Sequence, residues 1–452
     1  MCGLINKNRI SRAHSLHLGM LAKGDKKIIR AWTFYDWANS VYPLVISSAI
    51  FPIFYETVTT KRDAEGKVLS DMVEWCGMSF HNTSFLSYVV ALSYLIVAIS
   101  SPILSGIADS SGNKKRFLQF FCYLGAGSAM LLSLFDAEHI GWSMTALLFA
   151  SVGYWGSLVF YNAYLPEIAE PKDQDAVSAR GFAMGYVGSS LLLIIILVIA
   201  VFQKIITIKT GFILVGIWWI GFAQVTFMRI PNNVYQKKSN KISFTAGFRE
   251  LRGVFLDIMQ QKQLRRFLGS YFMYNMGVQT VMIMAVPFAT KAITWENPEQ
   301  MKSSLIISIL LIQFLGIAGS FIMSALSRVI GNLKTLGFVI ALWAIICFAV
   351  FRYIDAPFEF YIIAACVGLV MGGVQALSRS TYSKMLPETQ DHASYFSFFD
   401  VSEKIGLAIG TVTFGLIEEI TGGIRNSVLS LIVIFILGFL LLLRVPKSER
   451  VH

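Results

Sequence analysis

Asp36, Asn39, Asn162, Asn275, Gln279, Gln375, Arg379, Asp400, Glu403 and Lys404 are polar or charged side chains set inside long apolar runs. Such residues are costly in an apolar surrounding, so each is a candidate for function. Four-residue spacing places Asn275 with Gln279, Gln375 with Arg379, and Asp400 with Lys404 on shared helical faces. Acids beside a cation can exchange an ion pair for a proton, and amides can line a polar cavity, which suits binding and passage of a solute. The bland reading is that Asp400 and Lys404 satisfy each other locally and that Arg379 sits at an interface with water. A second constellation reads Gly106-Ile-Ala-Asp109-Ser-Ser-Gly112-Asn-Lys114-Lys115-Arg116. Here Gly106 permits close helix approach, Asp109 can cap a helix or receive a cation, Gly112 allows a tight turn, and the basic cluster anchors the loop.

Bond-breaking chemistry has little to work with. The histidines His14, His17, His81, His139, His392 and His452 are terminal or close to expected loops, which leaves no convergent catalytic constellation in the apolar runs. The five cysteines show no CxxC spacing, so neither a disulfide framework nor a metal site is implied. Gly181, Gly185, Gly188, Gly372 and Gly373 serve helix packing, and no phosphate-binding loop precedes them, so no cofactor is expected. Aromatics such as Phe34, Trp37, Tyr154, Trp155, Tyr271 and Tyr274 read mainly as packing.

The elements that must hold these groups follow from composition. Of 452 residues, 55% are hydrophobic and 14% charged, against about 25% charge in soluble domains. A bilayer core needs roughly 20 apolar residues per helical crossing. Runs such as 191–202 and 428–443 do not alternate, which excludes a lipid-facing β-barrel. Twelve spans are expected near 32–55, 83–108, 117–136, 141–165, 178–202, 210–229, 266–290, 303–326, 333–352, 358–386, 393–418 and 424–444. The result is an all-α polytopic membrane protein. The net charge of +11 reflects topology rather than nucleic acid, because Lys114, Lys115, Arg116, Lys172, Lys237, Lys238, Lys241, Arg249, Arg252, Lys262, Arg265 and Arg266 fall in even-numbered loops. Those loops and both termini are expected in the cytoplasm, and the neutral-to-acidic loop 57–82 outside. The N-terminus lacks a cleavable signal, so the first span directs insertion; the basic residues before it form an anchor or precede a true start at Met20.

Domain organisation reads as a basic tail 1–29, a six-helix bundle 30–229, a basic linker 230–265 with an amphipathic helix over 244–259, a second bundle 266–444 and a tail 445–452. An internal repeat supports two related halves in parallel orientation: YNAYLPE at 161–167 and YSKMLPE at 382–388.

The Gly106–Arg116 constellation matches the G-x-x-x-D-x-x-G-x-[RK]-[RK] signature of the major facilitator superfamily. The equivalent loop 324–334 keeps Gly331 and Lys334 but lacks the acid, so gating by that half is expected to be weaker. Residues 32–55, WTFYDWANSVYPLVISSAIFPIFY, and 372–388, GGVQALSRSTYSKMLPE, resemble the branch that includes fungal vacuole amino-acid effluxers and related bacterial permeases. Members of that branch carry an acid after the asparagine of the seventh span; Met276 departs from this. The resemblance implies a secondary transporter of a small solute, amino acids and export being favoured; a proton is expected as coupling ion because Asp36, Asp400 and Glu403 are ionisable, with uncoupled facilitated transport as the alternative. The resemblance also implies a monomer in the lipid bilayer, at the cell membrane in a bacterium. A transporter-like nutrient sensor and a membrane-embedded enzyme are the alternatives. Asp36 is expected to meet Asp400, Glu403 and Lys404 across a central cavity, forming a proton-linked switch.

Overall fold

The computed structural model describes residues 23–63, 68–202, 207–232 and 244–446. The first half holds six long helices: α1 (Lys26–Thr59), α2 (Asn82–Ser111), α3 (Lys114–Leu134), α4 (Ile140–Ile168), α5 (Gln174–Ala200) and α6 (Ile208–Arg229). A linker helix, α7 (Phe244–Gln260), leads to the second half. That half comprises α8 (Lys262–Ala292), α9 (Pro298–Ile330), α10 (Asn332–Tyr353), α11 (Pro357–Met385), α12 (His392–Thr421) and α13 (Ile424–Leu443). Eleven of these helices are long and apolar enough to cross a bilayer. The twelfth, α12, has 30 residues and carries five charged residues, Asp400, Glu403, Lys404, Glu418 and Glu419.

Local signals set the helix ends. Gly112 and Gly422 terminate α2 and α12 at φ 67° and 70°, the left-handed conformation that a side chain resists. Asn297 caps Gln300 N at 2.8 Å ahead of Pro298, and Thr207 caps α6. Within α1 the backbone passes through a π-helical stretch, Tyr42–Ala49, with Pro43 in its first turn and Pro52 just after it. The loop after α1 is more ordered than the sequence suggests. It folds into two antiparallel ribbons, β1 (Lys61–Arg62) with β2 (Val68–Ser70), and β3 (Met72–Trp75) with β4 (Met78–His81).

Alternating helix direction places the start of α1, the end of α13 and the helix α7 at one end of the bundle, the terminal face. Within each half, aromatic stacks and small residues let helices approach. Trp32 stacks on Tyr161 at 4.5 Å between ring centroids. A Cβ at Gly372 would meet the backbone of Gly316, so α9 and α11 pack backbone to backbone. The halves meet chiefly through α2 with α12 and α5 with α9 and α11. Helix α7 lies against α2, where Gly247 and Gly106 leave no room for side chains. The expected tail 1–29 falls mostly outside the described residues, as do Lys237, Lys238 and Lys241.

Candidate functional site

Asp36 lies about 15 Å along α1 from its first residue at 1.5 Å per residue. Gly181 on α5 admits it to the interface, since a Cβ there would run into the Asp36 carboxylate. Across the interface stands Arg379 of α11. Its Nη1 is 3.3 Å from Asp36 Oδ2, and both side chains are buried. The guanidinium also donates from Nη1 to Asn162 Oδ1 at 3.3 Å, from Nε to Ser178 Oγ at 2.9 Å, and from Nη2 to the Ser178 carbonyl at 2.9 Å. Tyr161 OH donates to Asp36 Oδ2 at 2.7 Å. Phe182 covers the guanidinium face, with Cζ 4.1 Å from the ring centroid. One arginine of the second half is thus gripped by α1, α4 and α5 of the first, and the expectation that Arg379 sits at a water interface is overturned.

A second cluster lies on α12. Lys404 Nζ is 2.8 Å from Asp400 Oδ1 and 3.9 Å from Glu403 Oε2, and it rests 3.7 Å from the ring centroid of Trp155 on α4. Glu403 accepts from Gln279 Nε2 at 2.6 Å and from Tyr271 OH at 3.4 Å. Asp36 therefore does not meet Asp400, Glu403 and Lys404, as the sequence suggested. The lysine is satisfied by the acid one turn away on its own helix, and Asp36 takes the arginine instead. Gln375 accepts from Tyr186 OH at 2.7 Å across the interface. Asn39 and Asn275 are buried, and Nδ2 of each has no hydrogen-bond partner.

Toward the terminal face the halves are bolted three more times. The Asp109 carboxylate accepts the backbone N–H of Ser394 at 2.7 Å and of Ala393 at 3.3 Å, capping α12 from α2. Glu167, the acid of the first repeat, pairs with Lys114 of its own half and with His392 Nδ1 of the other at 3.1 Å. Lys114 is accordingly buried rather than an exposed anchor, while Lys115 is half-buried and Arg116 exposed. Asp175 at the start of α5 accepts from Asn332 Nδ2 at 2.7 Å, Ser327 Oγ at 3.1 Å and Lys384 Nζ at 2.5 Å. The second-half loop thus has its acid after all, lent by the helix that faces it. Among the described residues, hydrogen bonds between the halves lie between the middle of the bundle and the terminal face.

Glu167, Asp175, His392 and Lys384 were not expected from the sequence to be site residues, although His392 and the repeats holding Glu167 and Lys384 were noted. A signal was present: the repeat continues as Asp175-Ala-Val-Ser178 and Asp391-His-Ala-Ser394, so it brackets both contact points.

Residues 24–450 match the family model described as "Vacuole effluxer Atg22 like". The MFS-type transporter YxiO of Bacillus subtilis (strain 168) is 30% identical over 92% of this chain and 94% of its own length. Autophagy-related protein 22 of Coccidioides immitis (strain RS) is 23% identical over 94% and 88%. Among solved structures, the fold is similar to the transporter FucP in an outward conformation, with TM-score 0.67, 12% identity and coverage of 94% of this chain and 99% of that one. It is also similar to the human organic anion transporter MFSD10, with TM-score 0.70, 12% identity and coverage of 93% and 100%.

Proposed function

Because the chain belongs to the vacuole effluxer Atg22-like family of major facilitator transporters, we propose that it exports a small solute by alternating access, with amino acids as substrate class and a proton as coupling ion. Fold and relatives are those of transporters, not enzymes. In this reading residues 30–229 rock against 266–444 around the 230–265 linker, as a monomer, with the tails 1–29 and 445–452 in the cytoplasm.

The observation that carries the reading is the Asp36–Arg379 clamp. It joins the halves at the depth where a solute would sit, and it must part before a central cavity can open to the terminal face. A lone carboxylate in an apolar interior is costly. When Arg379 withdraws, a proton is the smallest replacement charge for Asp36, and this links opening to proton binding. Glu403 is placed to do the same when Lys404 remains with Asp400. Asn162, Asn275, Gln279 and Gln375 then supply polar contacts to the solute, and Asp109 acts on the switch rather than on substrate.

Counterflow of labelled amino acids in proteoliposomes tests this, with peptides and sugars in parallel. Uptake of at least one amino acid, altered by an imposed pH gradient, is the expected result. Binding without translocation would favour a sensor, and exchange of sugars alone would overturn the substrate class.

A further inference from the structure

The core of the second half is interrupted. Ala289, Ile293, Ile354 and Phe360 form a small apolar cluster at the end opposite the terminal face, separate from the main core. Between the two lies a partly open cavity of about 130 Å³. Met282, Ile312, Ile346, Val367 and Leu431 line it, from five helices of the half, and Leu44 and Ser48 of α1 close its side. Helix interiors ordinarily pack to the density of organic crystals, and apolar voids exclude water while admitting apolar guests. All six long helices of the half contribute to its wall, α12 through Phe414, and neither Asp36 nor Arg379 is among the lining residues.

Its wall is not wholly apolar. Gln313 and Trp343 both line the cavity, and both are more than nine-tenths buried. Gln313 Oε1 and Trp343 Nε1 have no hydrogen-bond partner. Buried polar atoms are normally satisfied, so an orphan acceptor and an orphan donor on one apolar cavity mark it for a guest that brings the missing groups. A hydroxyl supplies both, because it accepts from an indole N–H and donates to an amide oxygen. A cationic or anionic guest has no counter-charge among the lining residues.

We propose that this cavity is a binding site for a small, largely apolar alcohol or phenol, held by Trp343 and Gln313. The geometry suits a ligand that tunes the second half, because its walls join α10 and α13 to α8 and α11, which bear Gln279 and Arg379.

The test uses the full chain in lipid nanodiscs, with 4-fluorobenzyl alcohol as probe and fluorine NMR as readout, empty nanodiscs giving the partitioning background. Saturable binding above that background is expected. Ala364→Phe, which fills the cavity, should abolish it. Gln313→Leu keeps the volume and removes the acceptor, so affinity should fall about threefold to tenfold, the worth of one hydrogen bond. A larger loss is expected for 4-fluorotoluene, which lacks the hydroxyl and so forgoes both hydrogen bonds. Thermal unfolding checks that each variant is folded; if Ala364→Phe is not, Gln313→Leu and the fluorotoluene comparison still decide. Binding that is absent, non-saturable, or equal for 4-fluorotoluene and the alcohol would overturn the proposal.

Discussion

Replacing Arg379 with lysine keeps a positive charge beside Asp36 but removes the planar fork. The guanidinium reaches Ser178 twice, at Oγ and at the carbonyl, each at 2.9 Å, while facing Asp36 and Asn162 from Nη1. A single ammonium that stays with Asp36 cannot reproduce both Ser178 bonds. Hydrogen bonds from a charged donor contribute about 1.5–3 kcal/mol each, so two at the low end amount to about 3 kcal/mol. These bonds join the halves, so their loss falls on the arrangement closed at the terminal face, whereas water can solvate either side chain once the halves part. At about 1.4 kcal/mol per tenfold, the closed-to-open ratio should drop roughly 100-fold. Spin labels at Lys172 and Arg328, exposed at the terminal face on opposite halves, would report it by electron–electron distance measurement in a background without native cysteines. A longer-distance population should grow in Arg379→Lys. The reasoning is refuted if the folded variant gives the wild-type distance distribution.

Gly181→Ala should weaken the same clamp from the other side, because the added methyl meets Asp36 and Arg379; reduced transport with the same longer-distance population is the expected pair of results. Asp109→Asn should slow exchange while leaving equilibrium substrate binding within about twofold, since the acid caps α12 rather than lining the cavity; loss of binding with normal transport would contradict that role. Asp36→Asn and Glu403→Gln should each abolish substrate-driven proton flux in proteoliposomes while exchange partly survives, and wild-type coupling in both would remove these acids from the proton path. Cys76, at the exposed tip of the β3–β4 ribbon, should react with an impermeant thiol reagent on intact cells, while Lys172→Cys should not. Ser239 of the linker and Lys447 of the C-terminal tail, both expected in the cytoplasm, lie outside the described residues.

Hydropathy made the helices legible because lipid forbids unpaired backbone, leaving few alternatives to a run of apolar residues. The polar residues of the interior were legible for the same reason: Asp36, Arg379, Asp400, Glu403 and Lys404 stand out against such runs. Their partners were not. Asp36 and Arg379 are 343 residues apart, and no helical periodicity relates α1 to α11. Asp400 and Lys404, one turn apart, were readable as a local pair. Glu167 and Asp175 escaped notice because they sit where helices end, and there an acid reads as an ordinary loop residue. Only the fold reveals that each faces a cation or amide of the other half. The ribbons of 61–81 escaped because two- to four-residue strands fall below what alternation can signal.

The polarity of the interface has a consequence for biogenesis. Asp36, Glu167 and Asp175 all belong to the half made first, and Arg379, His392 and Lys384 all belong to the half made last. At about 5–20 residues per second, Asp36 is synthesised about 17–70 s before Arg379. During that interval Glu167 already has Lys114 of its own half, while Asp36 and Asp175 wait for their cations. Asp36 and Asp175 are therefore two carboxylates of the first half whose cationic partners, Arg379 and Lys384, arrive only with the end of the same polypeptide.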